Sequence, residues 1–288
     1  MPADEPQLFP VILEISLFLI GLWLIAQLIF KAPFRTRWLK TTQLAAWSIN
    51  PAEFGIYLLL LFAGGFIFQA GLRLWLGDFI AKASDRAGLE IMVYGTGLDG
   101  GALLGWLLFP MLRRGWHADY GVAPPVEAAA PTVLPWSKAL RYGAGTVALA
   151  LPVIAVLSFG WTFLLRKLGL PDDPQDSIAI FSDTKSPLIV FGMFVVACIF
   201  APMMEELLFR AGIYRFCRQH VGRKVSLLIS GLLFGAIHLN WAGFLPLSVF
   251  GMILALVYEA TGSIRVPIAA HALFNLTSIL TSLTGLTK

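Results

Sequence analysis

The sequence predicts an all-α membrane protein, a polytopic bundle of about eight transmembrane helices with its functional site among the last four. Three observations support this fold class. The chain of 288 residues is 58% hydrophobic and only 13% charged, far from the balance of a soluble domain. Its apolar runs approach or exceed the roughly 20 residues that a helix needs to cross a bilayer. No stretch shows the alternation of a transmembrane strand, so a helical bundle is the architecture that satisfies the backbone in lipid.

Separate apolar segments account for the predicted spans. In chain order they are Leu8–Phe30, Phe54–Leu76, Leu89–Leu112, Ala139–Leu165, Pro187–Phe209, Val225–Leu239, Phe244–Tyr258 and Val266–Leu286. The sixth and seventh are shorter than a full span, and we expect them to be tilted or re-entrant. The first has neither a basic start nor a small-residue cleavage site, so it is interpreted as a mature helix rather than a signal peptide.

The basic residues indicate the orientation of the chain. Lysine and arginine are concentrated in the connections after the first, third, fifth and seventh segments, which predicts that both termini lie outside. The basic residues are spread over the loops and do not form one basic surface. The net charge of +4 therefore does not indicate a nucleic-acid partner. We therefore expect a multi-pass integral protein of the bacterial inner (plasma) membrane.

A Pro/Ala-rich stretch divides the chain. Residues 122–136 (VAPPVEAAAPTVLPW) carry a single charge and predict a linker on the inner side. This linker separates a three-span part, residues 1–121, from a five-span part, residues 137–288. All the histidine and paired-carboxylate chemistry of the spans falls in the second part.

Small residues predict close packing in the third span. Gly97 and Gly101 are four residues apart and therefore share a helix face, where they let a neighbouring backbone approach. Asp99 lies between them in the middle of the span. A function for this carboxyl group stays open, but a bond to a neighbouring helix is the favoured interpretation, because intramembrane carboxylates find partners.

Two adjacent glutamates stand near the end of the fifth segment. A carboxylate in hydrocarbon costs about 2.5–3.5 kcal/mol on insertion scales, so it is rarely there without a partner or a function. Glu206 and Arg210 are four residues apart in the favourable order and predict a salt bridge. Glu205 points about 100° away and has no cation on its own helix, which makes it a candidate proton acceptor. The alternative is that both glutamates only meet the inner headgroup layer beside Arg210.

Two later segments each contribute a histidine. Phe234 and His238 share one face of the sixth segment, and His271 and Asn275 share one face of the last. Each pair alone is explained by packing or by an interhelical hydrogen bond. Together with Glu205 they supply a carboxylate, two imidazoles and an amide, which are groups that activate water and stabilise an oxyanion.

Three ordered motifs carry a resemblance to a known family. EELLFR at 205–210, FGAIH at 234–238 and HALFN at 271–275 resemble the pattern of the CPBP intramembrane proteases, also called Abi, which include the CAAX prenyl endopeptidases. The resemblance covers a motif core of residues 187–286. It implies an intramembrane endopeptidase in the lipid bilayer that hydrolyses a peptide bond of a membrane-associated peptide or protein substrate.

The resemblance also implies roles for individual residues. Glu205 is expected to be the general base for a water molecule that His238 helps to hold. His271 and Asn275 are expected to stabilise the oxyanion of the tetrahedral intermediate. Three further residues are expected to support the site: Glu206, Arg210 and Phe234.

The cofactor stays open at this point. The family is commonly called a metalloprotease family, yet its prototype is also described as a glutamate-dependent hydrolase. The site therefore needs either no cofactor or a divalent metal such as zinc, for which Glu205, His238 and His271 would be the ligands. The His-Glu-x-x-His segment of the zincins is absent from the sequence.

A non-enzymatic function is the alternative. A transporter, or an immunity or scaffold protein, could use buried glutamate and histidine side chains as a proton or ion relay. Residues 1–121 and 137–288 show no convincing inverted repeat, which disfavours the transporter.

Overall fold

The computed structural model of the chain describes residues 8–45, 47–119, 133–173, 184 and 186–283. All the regular structure in these residues is helical, which confirms the all-α fold class. Within them, six helices are long and apolar enough to cross a membrane: Val11–Phe30, Pro51–Ala81, Arg86–Arg114, Trp136–Leu168, Pro187–His220 and Trp241–Thr261. The protein is therefore a multi-pass integral membrane protein.

The described residues form α-helices interrupted by π-helical turns. The α-helices are α1 (Leu8–Phe30), α2 (Ala32–Arg35), α3 (Pro51–Ala81), α4 (Arg86–Glu90), α5 (Thr96–Asp119), α6 (Trp136–Leu168), α7 (Pro187–Val195), α8 (Ala201–Glu206), α9 (Arg215–His220), α10 (Gly222–Ala236), α11 (Trp241–Thr261) and α12 (Arg265–Leu283). The π-helical turns are Thr36–Lys40, Ile91–Gly95, Val196–Phe200 and Leu207–Tyr214. We call the continuous stretch from α7 to α9, Pro187–His220, the central helix.

Each predicted span coincides with a helix, but their lengths differ from expectation. The seventh span is longer than predicted, because α11 begins at Trp241, where the Asn240 side chain caps it by accepting from the Gly243 N–H at 2.7 Å. Helix α10, the predicted sixth span, has only 15 residues and is not among the six long apolar helices, and neither is α12. Residues 284–286 of the last predicted span and 122–132 of the predicted linker lie outside the described residues.

Helices α3 and α5 lie against each other along a seam of glycines. A Cβ atom at Gly105 would collide with the Leu60 carbonyl oxygen, and one at Gly101 would collide with that of Gly64. A Cβ atom at Gly97 would lie 2.8 Å from the Leu72 side chain. Backbones this close require residues without a side chain, so the predicted packing face is confirmed.

Replacing Gly105 by leucine should therefore destabilise the protein. Overpacking of this kind costs about 1–3 kcal/mol or more, because the α3 backbone has to move. Gly100→Leu is the matched control, since a Cβ atom at Gly100 meets nothing within 4 Å. Thermal unfolding of both purified variants in the same detergent checks the prediction, and equal melting temperatures would contradict it.

The three-span and five-span parts share one hydrophobic core. Tyr57 of α3 and Phe109 of α5 pack with Phe209 of the central helix and Phe234 of α10. The Tyr57 hydroxyl also donates a hydrogen bond to the Leu207 carbonyl oxygen at 2.6 Å. The first part therefore holds the central helix directly beside the two glutamates, while the division of the chain at 122–136 stays a prediction.

A buried carboxylate fixes the end of α11. Glu259 is fully buried and accepts hydrogen bonds from the Tyr214 hydroxyl at 2.6 Å and from Arg218 at 3.1 Å. Its carbonyl oxygen accepts from the Gln43 N–H at 2.8 Å. These bonds connect α11, the central helix and the segment before α3, and so fix the positions of these segments relative to one another.

Candidate active site

The two glutamates occupy an irregular part of the central helix. They end the short helix α8, between the π-helical turns Val196–Phe200 and Leu207–Tyr214. Such turns are rare and occur frequently at functional sites. Ala197 in the first turn has its carbonyl oxygen bonded outside its own helix, to the Asn275 side chain of α12 at 2.8 Å.

The predicted salt bridge between Glu206 and Arg210 is confirmed. Arg210 Nη1 donates to Glu206 Oε1 at 2.7 Å, and both side chains are completely buried. Arg210 Nη2 donates to the Gly251 carbonyl oxygen of α11 at 3.0 Å. The guanidinium group lies 4.4 Å from the centre of the Phe234 ring, so Arg210 connects the central helix with α10 and α11.

His271 lies between the two glutamates. Its Nδ1 is 2.9 Å from Glu206 Oε1, and its Nε2 is 3.9 Å from Glu205 Oε2. A carboxylate bonded to Arg210 can only accept, so Nδ1 is the donor and this bond sets the orientation of the ring. The result is a buried chain of Arg210, Glu206, His271 and Glu205. Sequence analysis did not predict the contact between Glu206 and His271.

His238 reaches the same region through Phe234. Its Nδ1 is 2.7 Å from the Phe234 carbonyl oxygen, which can only accept, so Nε2 carries no hydrogen in the neutral ring. The Phe234 ring lies 5.1 Å from the His238 ring and 5.4 Å from the His271 ring, measured between centroids. Phe234 therefore separates and orients the two imidazoles. Among the described residues His238 forms no ion pair with a carboxylate.

Asn275 stands one turn after His271 and uses its side-chain amide to hold α12 against the central helix. Its Nδ2 donates to the Ala197 carbonyl oxygen at 2.8 Å. An amide nitrogen carries two hydrogens, so one donor remains. The oxyanion role predicted for Asn275 stays a prediction.

Asp99 of α5 is the mid-span carboxyl group for which sequence analysis left a function open. The side chain is 6% exposed. The bond to a neighbouring helix that the sequence favoured is not found among the described residues, because Asp99 makes no hydrogen bond there. Its position in the middle of an apolar span was the only signal in the sequence.

The possible metal ligands named from the sequence are Glu205, His238 and His271. Within the part of the chain that the structure describes, no group of three or more His, Cys, Asp or Glu side chains is placed to hold a metal ion. Both imidazoles use Nδ1 on protein oxygens, which leaves Nε2 of each ring available, so a zinc set of Glu205, His238 and His271 stays a prediction.

Comparisons with known proteins find similarity in this segment. Residues 187–277 match the family model of the Rce1-like type II CAAX prenyl endopeptidases. Two relatives come from Bacillus subtilis (strain 168). YdiL, named as a proposed membrane peptidase, is 32% identical over 83 residues, which are 29% of this chain and 34% of YdiL. YpbD, an uncharacterized protein, is 33% identical over 106 residues, which are 35% of this chain and 49% of YpbD.

The chain thus spans between a third and half of the length of these relatives. No solved structure matches it significantly. The family match covers all three motifs and the buried chain from Arg210 to Glu205. Residues 187–277 therefore resemble the Rce1-like type II CAAX prenyl endopeptidases, the kind of family that the motifs predict, and this match covers less than half of the chain.

Proposed function

We propose that the protein is an intramembrane endopeptidase, which hydrolyses a peptide bond of a membrane-associated substrate with water that Glu205 activates. The observation that carries this proposal is His271 held between two carboxylates, at 2.9 Å from Glu206 and 3.9 Å from Glu205, inside a helical membrane bundle. A bundle needs no such arrangement for packing. Intramembrane ionisable groups of this kind mark functional sites.

The reaction follows from the side chains. Glu205 takes a proton from water while the water oxygen attacks the carbonyl carbon, and a tetrahedral intermediate forms. As the carbon–nitrogen bond breaks, Glu205 returns the proton to the departing amine. The reaction needs no covalent intermediate with the protein. His238, with Nδ1 fixed on the Phe234 carbonyl, offers Nε2 as an acceptor that orients the water.

The oxyanion requires hydrogen-bond donors. His271 donates from Nε2 when both ring nitrogens carry hydrogen, and the Glu206 carboxylate beside Nδ1 is the partner that such a ring needs. Asn275 has one further amide hydrogen to offer. Arg210 prevents Glu206 from becoming an unpaired charge, and so supports His271 without touching the substrate.

We propose a bacterial inner membrane as the location, because both relatives come from Bacillus subtilis. The substrate is then a peptide or protein that enters the bundle from this membrane. The identity of the substrate is determined by the following experiment.

The experiment compares protein termini in membranes that contain equal amounts of the wild type or of Glu205→Gln. Glutamine keeps the shape of the side chain and cannot accept the proton, so new termini should appear only with the wild type. These Glu205-dependent termini identify the substrate and the cleaved bond. Identical termini in both membranes would contradict the peptidase and favour the proton or ion relay.

A further inference from the structure

A cavity of about 250 Å³ lies between α1, α6, α11 and the π-helical turn Thr36–Lys40. Gly145 of α6 lines it, and a Cβ atom at Gly145 would meet nothing within 4 Å. The apolar wall includes Leu24, Leu28, Leu149, Ile253 and Leu256. We call this space the α6 cavity. None of the candidate active-site residues lines it, so the α6 cavity is separate from the site described above.

One end of the α6 cavity is aromatic. Tyr142 and Trp38 line it with their ring centroids 5.6 Å apart, and the centroid of the Phe34 ring lies 6.3 Å from that of Trp38. Tyrosine and tryptophan are enriched at the level of the lipid headgroups, because one end of each side chain is apolar and the other is polar. From Tyr142 the cavity extends along α6 to Leu149, about 10 Å further on at 1.5 Å per residue. The cavity therefore runs from the headgroup level into the hydrocarbon.

Two arginines stand at the aromatic end. Arg141 lines the α6 cavity, is exposed, and makes no hydrogen bond or ion pair with a described residue. Arg37 donates from Nη2 to the Tyr142 hydroxyl at 3.4 Å, and its guanidinium group lies 5.6 Å from the centre of the Trp38 ring. Neither arginine is paired with a carboxylate in the described part of the chain. Their charges are therefore available to an anion.

A second cavity adjoins the α6 cavity at Phe34, which lines both. Lys31 and Arg37 line this second cavity, and no described aspartate or glutamate lines either one. The three cations therefore form one positive region beside the aromatic rings. Sequence analysis predicts this region on the inner side of the membrane, because lysine and arginine are concentrated in the connections after the first and third spans.

The charge and shape of this region fit one kind of ligand. A small anion would leave the apolar wall of the α6 cavity uncovered, and a lipid without net charge would leave the cations without a counter-charge. An anionic phospholipid satisfies both, and such lipids give the cytoplasmic leaflet its negative surface potential. Basic pockets between transmembrane helices on that side bind anionic headgroups, and arginine suits phosphate because it can donate two parallel hydrogen bonds.

We propose that the α6 cavity binds an anionic phospholipid, with its phosphate beside Arg37 and Arg141 and an acyl chain beside Gly145. The lipid then contacts α1, α6 and α11 together and stabilises their packing. This inference goes beyond the proposed function and does not depend on it, because no residue of the cleavage reaction takes part.

The first test measures thermal unfolding of the purified full chain in detergent, with phosphatidylglycerol, phosphatidylcholine or inorganic phosphate added at equal concentration. Phosphatidylglycerol should raise the melting temperature by about 5 °C, because a ligand that binds only the folded state stabilises it. Phosphatidylcholine has no net charge and inorganic phosphate has no acyl chain, so neither should change the melting temperature. An equal shift with phosphatidylcholine would show an unselective apolar groove, and an equal shift with inorganic phosphate would show a site for free anions. Either result would overturn the proposal.

The second test removes the cations. Arg37→Gln/Arg141→Gln should weaken the binding of phosphatidylglycerol about 30-fold, because each cation near an anionic headgroup contributes to the affinity. The matched control is Arg114→Gln/Lys224→Gln, which removes two charges from residues that line neither cavity and should bind like the wild type. Equal dissociation constants for the two double variants would contradict the proposed phosphate contacts.

The third test fills the space for the acyl chain. Gly145→Leu places a side chain inside the α6 cavity, and Gly160→Leu is the control on the same helix, since a Cβ atom at Gly160 also meets nothing within 4 Å. Native mass spectrometry with added phosphatidylglycerol should show one retained lipid per chain for the wild type and Gly160→Leu, and none for Gly145→Leu. Retention of the lipid by Gly145→Leu would overturn the proposal. If Gly145→Leu does not fold, the arginine variants decide between the outcomes.

Discussion

Replacing Glu205 by glutamine is expected to slow peptide-bond cleavage by about 100- to 10,000-fold, the contribution that a general base makes to such reactions. The melting temperature should stay close to that of the wild type, because glutamine fills the same volume and still offers hydrogen-bonding groups to His271. The loss then falls on the chemical step rather than on the amount of folded protein.

The matched control for this variant is Glu90→Gln, the same chemical change at a distant glutamate. Glu90 forms an ion pair with Arg86 at 2.7 Å, and the side chains of Arg86 and Glu90 are 61% and 36% exposed. Such pairs contribute little to stability, so this variant should cleave and melt like the wild type. The two variants are compared by cleavage rate and by thermal unfolding. Comparable cleavage rates for Glu205→Gln and Glu90→Gln would show that Glu205 is not the general base.

Replacing Arg210 by methionine is expected to lower the free energy of unfolding by about 3–5 kcal/mol, the cost of breaking a fully buried ion pair. Both partners are 0% exposed, so water cannot reach the Glu206 carboxylate that remains. The Gly251 carbonyl oxygen also loses its donor, and Phe234 loses the cation over its ring. The effect should appear as a melting temperature lower by roughly 10 °C and a smaller folded yield.

The double variant Glu206→Gln/Arg210→Met separates charge from packing. It removes both charges together, so much of the lost stability should return. Cleavage by the folded double variant should still be slow, because His271 no longer has a carboxylate at Nδ1. If the double variant is as unstable as Arg210→Met alone, packing around the guanidinium group rather than charge pairing accounts for the loss. Full activity of the double variant would contradict the supporting role of Glu206.

The features that sequence analysis predicted are those decided within one helix. Hydropathy over a single segment identifies the spans, and the spacing of Glu206 and Arg210 on one helix predicts their salt bridge, which the structure contains. The glycine seam of α5 is likewise visible in its own spacing. Such features depend on helical geometry alone, which is the same in every protein.

The contacts that sequence analysis missed depend on how separate helices are placed. The bond between His271 and Glu206 requires a particular rotation of α12 relative to the central helix. The bond from Asn275 to Ala197 depends on a π-helical turn, for which the apolar sequence of residues 196–200 offers no signal. The length of α11 was underestimated because its cap, Asn240, lies before the apolar run used to define the span.

The hydrogen bond from Tyr57 to the Leu207 carbonyl oxygen limits how the proposed active site can be engineered. A graft of the motif-bearing segment onto an unrelated scaffold would leave that carbonyl group without its donor, one residue beyond the glutamates. Tyr57 therefore has to accompany any transplanted version, and designs that shorten the protein from its amino-terminal end are expected to stop short of α3.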